Sequence, residues 1–171
     1  MKLKNTIKHL SFLDADKDYE SNKKEILSKT QQKITEEQIF LFPNNQDDGD
    51  LETLLLEIAK HDEFLKCFEE YLECIKSKEH YKPIRNIRKN MLYAYLEVFE
   101  LQKFFQYKWD TSNKNEKYII IDDKGKIKER YKEEYEKLKE VIDFNSKSLI
   151  PLKNFLGQFA ENNQKTNFKI F

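Results

Sequence analysis

The run Ser11-Phe12-Leu13-Asp14-Ala15-Asp16-Lys17-Asp18 passes from an apolar segment into three carboxylates at alternate positions, with no glycine or proline between. Acids so close together repel one another. A divalent cation such as Mg²⁺ (or Mn²⁺) relieves that repulsion, because it takes hard oxygen ligands and needs only one or two carboxylates. Metal-assisted chemistry with Asp14 and Asp16 as ligands is therefore one reading. If residues 7–13 form a buried strand, side-chain alternation carries Asp14 and Asp16 off its end on one side, about 6–7 Å apart. The other reading is of solvated turn acids, with Asp18 as a turn or cap residue.

The elements that would position these acids come next along the chain. Residues 20–33 read as a polar, exposed helix. Gln38-Ile39-Phe40-Leu41-Phe42 is a continuous apolar run stopped by Pro43, which suits a strand covered on both faces, as in a parallel sheet. Strand, helix and strand in this short span make a βαβ unit. Parallel strands end on one edge of the sheet. The segment Asn44-Asn45-Gln46-Asp47-Asp48-Gly49-Asp50-Leu51-Glu52 must then emerge beside Asp14 and Asp16, at the edge where open parallel sheets bind ligands. Asp50 also reads as a helix N-cap, and Glu52 as a first-turn acid favoured by the helix dipole.

Helices dominate the rest of the chain. Leu51, Leu54, Leu55 and Ile58, then Leu65, Phe68, Leu72 and Ile75, keep helical spacing, with a break near His61-Asp62. Another amphipathic helix runs from Pro83, a residue suited to a first turn. Phe104 to Trp109 is an aromatic core cluster, 110–116 a loop, and 118–128 a small hairpin turning at Asp122-Asp123-Lys124-Gly125. A charged helix covers 129–141, and a final one starts with Ser148 as N-cap. The fold class is α/β: a small parallel sheet, a mostly helical C-terminal half and one hairpin. The reading gives a single domain over 1–171, with a βαβ core at 1–60, a helical portion at 61–160 and a flexible tail at 161–171.

Composition excludes several classes of function. Formal net charge is zero, so attraction to nucleic acid must be local, as at Lys82, Arg85, Arg88 and Lys89. No membrane-length apolar run and no signal-peptide core are present, which points to the cytoplasm. Cys67 and Cys74 lie seven residues apart in a helical pattern, too far for a disulfide, and are expected to face the core. The three histidines and two cysteines lack zinc-site spacing.

The strand ending in Asp-x-Asp resembles the Toprim fold of topoisomerases, primases and OLD-type nucleases. Most similar is a bacterial and archaeal set of uncharacterised Toprim-like proteins, related to the nucleases that partner ABC-type ATPases. The resemblance rests on Phe12 to Asp18, on Phe40 to Asn44 with Asp48 to Glu52, and on Cys67 to Cys74. Arg88-Lys89 with Met91 to Leu96, and Ile142 to Phe144 with Leu152 to Leu156, complete it. It implies metal ligation by Asp14 and Asp16, a second acidic cluster at Asp50 and Glu52, and Lys89 as a phosphate-stabilising lysine. Two cations would activate a water and neutralise the leaving oxygen. The chain departs from the pattern in one respect: the Toprim glutamate has no counterpart among the 13 residues before Asp14. Either the chain begins late relative to its relatives or its site is degenerate, and the shortened sheet keeps an edge for a second copy, a partner or local structure to cover.

Two functions compete. The first is Mg²⁺-dependent phosphodiester chemistry on nucleic acid, as a nuclease subunit beside an ATPase in phage defence. The second is a non-catalytic interaction or regulatory subunit on the same scaffold. A receiver-like phosphoacceptor is disfavoured, because strands and helices stop alternating after residue 60.

Overall fold

A computed structural model describes residues 10–30, 33–80, 82, 84–106, 119–122 and 124–161. The chain divides into two compact units, Met1–Glu57 with Ser146–Asn162, and Ile58–Asn145 with Asn163–Phe171.

In the first unit, β1 (Ser11–Asp14) pairs in parallel with β2 (Ile39–Phe42), with Ser11 opposite Ile39 and Asp14 opposite Phe42. Helix α1 (Tyr19–Lys29) connects them, so the βαβ unit is present. The apolar run of β2 is covered on both sides, as its composition requires. Ile39 and Leu41 are buried with Ala15 and Tyr19, and Ile26 and Leu27 of α1 pack against that cluster. The alternate residues enter an aromatic cluster. The Phe40 and Phe155 ring centroids lie 5.3 Å apart, and Phe12 meets Phe155 edge-on at 5.7 Å. Phe155 belongs to α6 (Ile150–Glu161), so the last helix packs in this first unit rather than with the helical portion that precedes it. Ser146, not Ser148, caps its lead-in turn: the Ser146 hydroxyl accepts from the Ser148 N–H at 3.2 Å.

The expectation of a buried first strand is corrected. Phe12 and Leu13 are 41% and 42% exposed, because among the described residues β1 has only β2 beside it. Residues 7–9 lie outside the described residues.

The second unit is helical. Helices α3 (Asp62–Lys76) and α4 (Ile87–Val98) run antiparallel, since Phe64 near the start of α3 packs edge-on against Phe99 just beyond α4. A bridge between Ala59 and Ile142 ties the start of the unit to the end of α5 (Lys132–Val141). Tyr95 locks that junction: its buried hydroxyl donates to the Val141 carbonyl at 2.6 Å and accepts from the His61 N–H at 3.3 Å. The expected hairpin survives as a tight turn. Ile121 bridges Ile127, and the Asp122 N–H donates to the Lys126 carbonyl at 2.8 Å. Pro83 and the stretch 107–118 are outside the described residues. Cys67 and Cys74 are free and exposed, not core-facing, because α3 buries none of its residues.

Burial pushes the Tyr95 phenol above its ordinary value, against the opposing hydrogen bonds from the His61 and Lys60 backbone. A raised acid pKa in the folded state means that the stabilisation is complete below about pH 10 and declines as pH rises beyond it. Tyr95→Phe should cost about 1–3 kcal/mol at neutral pH by leaving the His61 N–H without its acceptor and removing one of two hydrogen bonds to the Val141 carbonyl, which keeps the Lys60 N–H at 2.9 Å. It should also flatten the alkaline fall. Urea denaturation across pH 7 to 11 checks both.

Candidate functional site

The carboxyl edge of the parallel pair brings the two chain exits together, as the topology requires. After β1, the Ala15 N–H donates to the Phe42 carbonyl at 3.1 Å and the Asp16 N–H to the Gly49 carbonyl at 2.7 Å. Asp16 and Gly49 thus form an antiparallel bridge between the two exits. Glycine is needed at 49. Its φ is +145°, and a Cβ there would lie 3.0 Å from both the Pro43 ring and the Thr53 hydroxyl.

Four aspartates hold two helix starts on this rim. Asp18 caps α1 locally, accepting from the Ser21 N–H at 2.9 Å. Asp50 does the same for α2 (Leu51–Glu57), accepting from the Thr53 N–H at 2.8 Å and its hydroxyl at 2.5 Å. The other two carboxylates cross over. Asp14, at the end of β1, accepts from the Leu51 N–H of α2 at 3.0 Å. Asp48, in the loop after β2, accepts from the Tyr19 N–H of α1 at 2.8 Å. Each exit therefore caps the helix that follows the other one. The positive ends of both helix dipoles draw these carboxylates in and satisfy amides that lack intrahelical partners.

This geometry changes what the predicted ligands do. Asp14 spends one oxygen on α2 and remains exposed. Asp16 is exposed but has φ of +56°, so strand alternation ends before it, and the same-side projection expected of an extended Asp-x-Asp does not arise from strand geometry. Asp50 is a cap, and Glu52 sits half-buried in the first turn of α2. Among the described residues, no three histidine, cysteine, aspartate or glutamate side chains form a group that could hold a metal ion. Any cation here would rest on two carboxylates at most, within the range that Mg²⁺ accepts.

Lys82, Arg85, Arg88 and Lys89 are exposed and belong to the second unit. The Lys89 ammonium lies 5.6 Å from the Tyr93 ring centroid. The Arg85 carbonyl accepts from the Asn90 side chain at 3.1 Å. A groove of the first unit, about 410 Å³, runs past Lys23, Asn44, Gln46 and Asn154, and none of the four predicted ligands lines it. Sequence reasoning missed the role of Asp48. The Asp47-Asp48-Gly49-Asp50 cluster marks an acidic loop, but its partner, the Tyr19 N–H, lies 29 residues away and leaves no local signal.

The sequence matches a family described as a protein of unknown function (DUF3226) over residues 1–161. The chain belongs to that family. No curated protein and no solved structure matches it. No helix among the described residues of this DUF3226 member is long and apolar enough to cross a membrane.

The crossed caps carry a stability signature. Asp14→Ala and Asp48→Ala should each cost about 1 kcal/mol, and Asn at either position less, because an acceptor remains. Asp16→Gly should stay within about 1 kcal/mol of the parent, since glycine takes the left-handed backbone freely but loses more entropy on folding. Urea midpoints check all three. An unchanged Asp14→Ala would remove the capping role.

Proposed function

We propose that the rim shared by Asp14, Asp16, Asp50 and Glu52 is a Toprim-like site for Mg²⁺-dependent (or Mn²⁺-dependent) phosphodiester chemistry on nucleic acid. The observation that supports it is the Asp16–Gly49 bridge, which sets the acids of both exits on one exposed edge. Asp14 and Asp16 would hold the cation, with Asp50 and Glu52 as the second acidic cluster. A bound cation would supply a water of lowered pKa and neutralise charge on the leaving oxygen. In the same reading, Lys82, Arg85, Arg88 and Lys89, exposed on the second unit, contact phosphates of the nucleic-acid backbone. An ABC-type ATPase would be the partner, and the open side of β1 would pair with a second copy. A cytoplasmic location fits such a substrate.

The second reading, a non-catalytic interaction or regulatory subunit, is favoured by a specific observation. Asp14, Asp18, Asp48 and Asp50 are all engaged by backbone amides, which accounts for these acids without a metal.

Titration calorimetry with Mg²⁺ and Mn²⁺, beside cleavage assays on single- and double-stranded DNA and RNA, separates the two. The proposal expects millimolar or tighter metal binding, and cleavage reduced about 100-fold or more by Asp14→Asn and by Asp16→Asn. Absence of metal binding, with partner binding that ignores both substitutions, gives the second reading.

A further inference from the structure

The second unit carries an apolar groove of about 270 Å³ between α3 and α4. Phe64, Cys67 and Tyr71 line it from α3, and Ala94 and Val98 from α4, with Tyr95 at its base. Tyr71 and Val98 are 54% and 55% exposed. Helix α3 has 15 residues and buries none of them, although Leu65, Phe68, Leu72 and Ile75 are half-covered along its inner side. A helix this apolar along one stripe ordinarily owes its stability to a packed face.

The edges of the groove are charged. At about 100° per residue, Glu63 and Glu70 fall beside the stripe of Phe64, Cys67 and Tyr71, on the side away from the inner face. Glu97 falls in the same way beside Ala94 and Val98 on α4. All three glutamates are exposed, and Glu63 lies 3.4 Å from the His61 ring. The result is an apolar slot with carboxylates on both lips.

We propose that this groove docks a basic amphipathic helix from another protein. Apolar side chains at i, i+3, i+4 and i+7 enter the slot, and lysines or arginines on the flanks meet Glu63, Glu70 and Glu97. Charge argues for this occupant: Glu63, Glu70 and Glu97 are exposed carboxylates beside the groove, and basic flanks on a docked helix would pair with them.

The test uses the full chain and a labelled synthetic helix of about 15 residues, long enough to hold helical structure, built from leucine and lysine with the leucines on one face. A second peptide keeps the leucines and replaces every lysine by glutamate. Fluorescence anisotropy should show saturable binding of the lysine peptide, at least about tenfold weaker binding of the glutamate peptide, and weakening as salt is raised. The paired substitution Glu63→Lys with Glu70→Lys, and separately Val98→Asp, should each weaken the lysine peptide about tenfold or more, with circular dichroism unchanged. Equal affinity for the two peptides, or indifference to both variants, overturns the proposal. So does a concentration-dependent dimer, seen by sedimentation, that Val98→Asp dissociates, because the groove would then belong to a second copy. If Val98→Asp does not fold, the exposed Glu63 and Glu70 pair decides alone.

Discussion

The crossing of two carboxylates between two helices holds the first unit in register. Asp14 reaches from the end of β1 to the start of α2, and Asp48 reaches from beyond β2 to the start of α1. A two-stranded sheet alone is a weak device, since short strand pairs need packing to persist. Here each strand end is also fixed to the helix that the other strand feeds. The helix dipoles reward a negative charge at those positions, so acids serve where neutral acceptors would hold less firmly. The left-handed turn at Asp16 and the glycine at 49 let the two exits come close enough to cross.

Packing around β2 obeys the same constraint. Once the exits are tied, Ile39 and Leu41 are committed to α1, and Phe40 to the aromatic cluster with Phe12 and Phe155. Helix α6 returns to close that cluster from the far end of the sequence. The chemistry proposed for the rim and its structural role therefore draw on the same side chains. A carboxylate that caps a helix through one oxygen still has another to offer a cation, and both uses favour an ionised aspartate on an exposed edge.

Much of this was legible in the residues. The unbroken apolar run at 39–42 signalled a strand covered on both faces, and the acid after Gly49 signalled a cap. Parallel pairing then forced the two acidic segments together on topology alone. Other features were silent for physical reasons. The crossed caps depend on tertiary register, and nothing local in Asp14 or Asp48 names its distant amide. The positive φ at Asp16 has no sequence marker, because aspartate tolerates that region without requiring it. Cys67 and Cys74 were misplaced because helical periodicity shows which stripe is apolar, not whether another element covers it. The exposure of Phe12 and Leu13 was misjudged in the same way. A pattern of Phe and Leu indicates burial only when there is enough protein nearby to supply it.

The central claim is that the exits after Leu13 and after Phe42 share one rim able to hold a divalent ion. Paramagnetic broadening of backbone amide signals by substoichiometric Mn²⁺ tests it most directly, because the effect falls steeply with distance and needs no substrate. The account predicts that amides in 14–18 and in 48–53 fade together, and that excess Mg²⁺ restores them. Broadening confined to one of the two segments, or uniform across the chain, would contradict it.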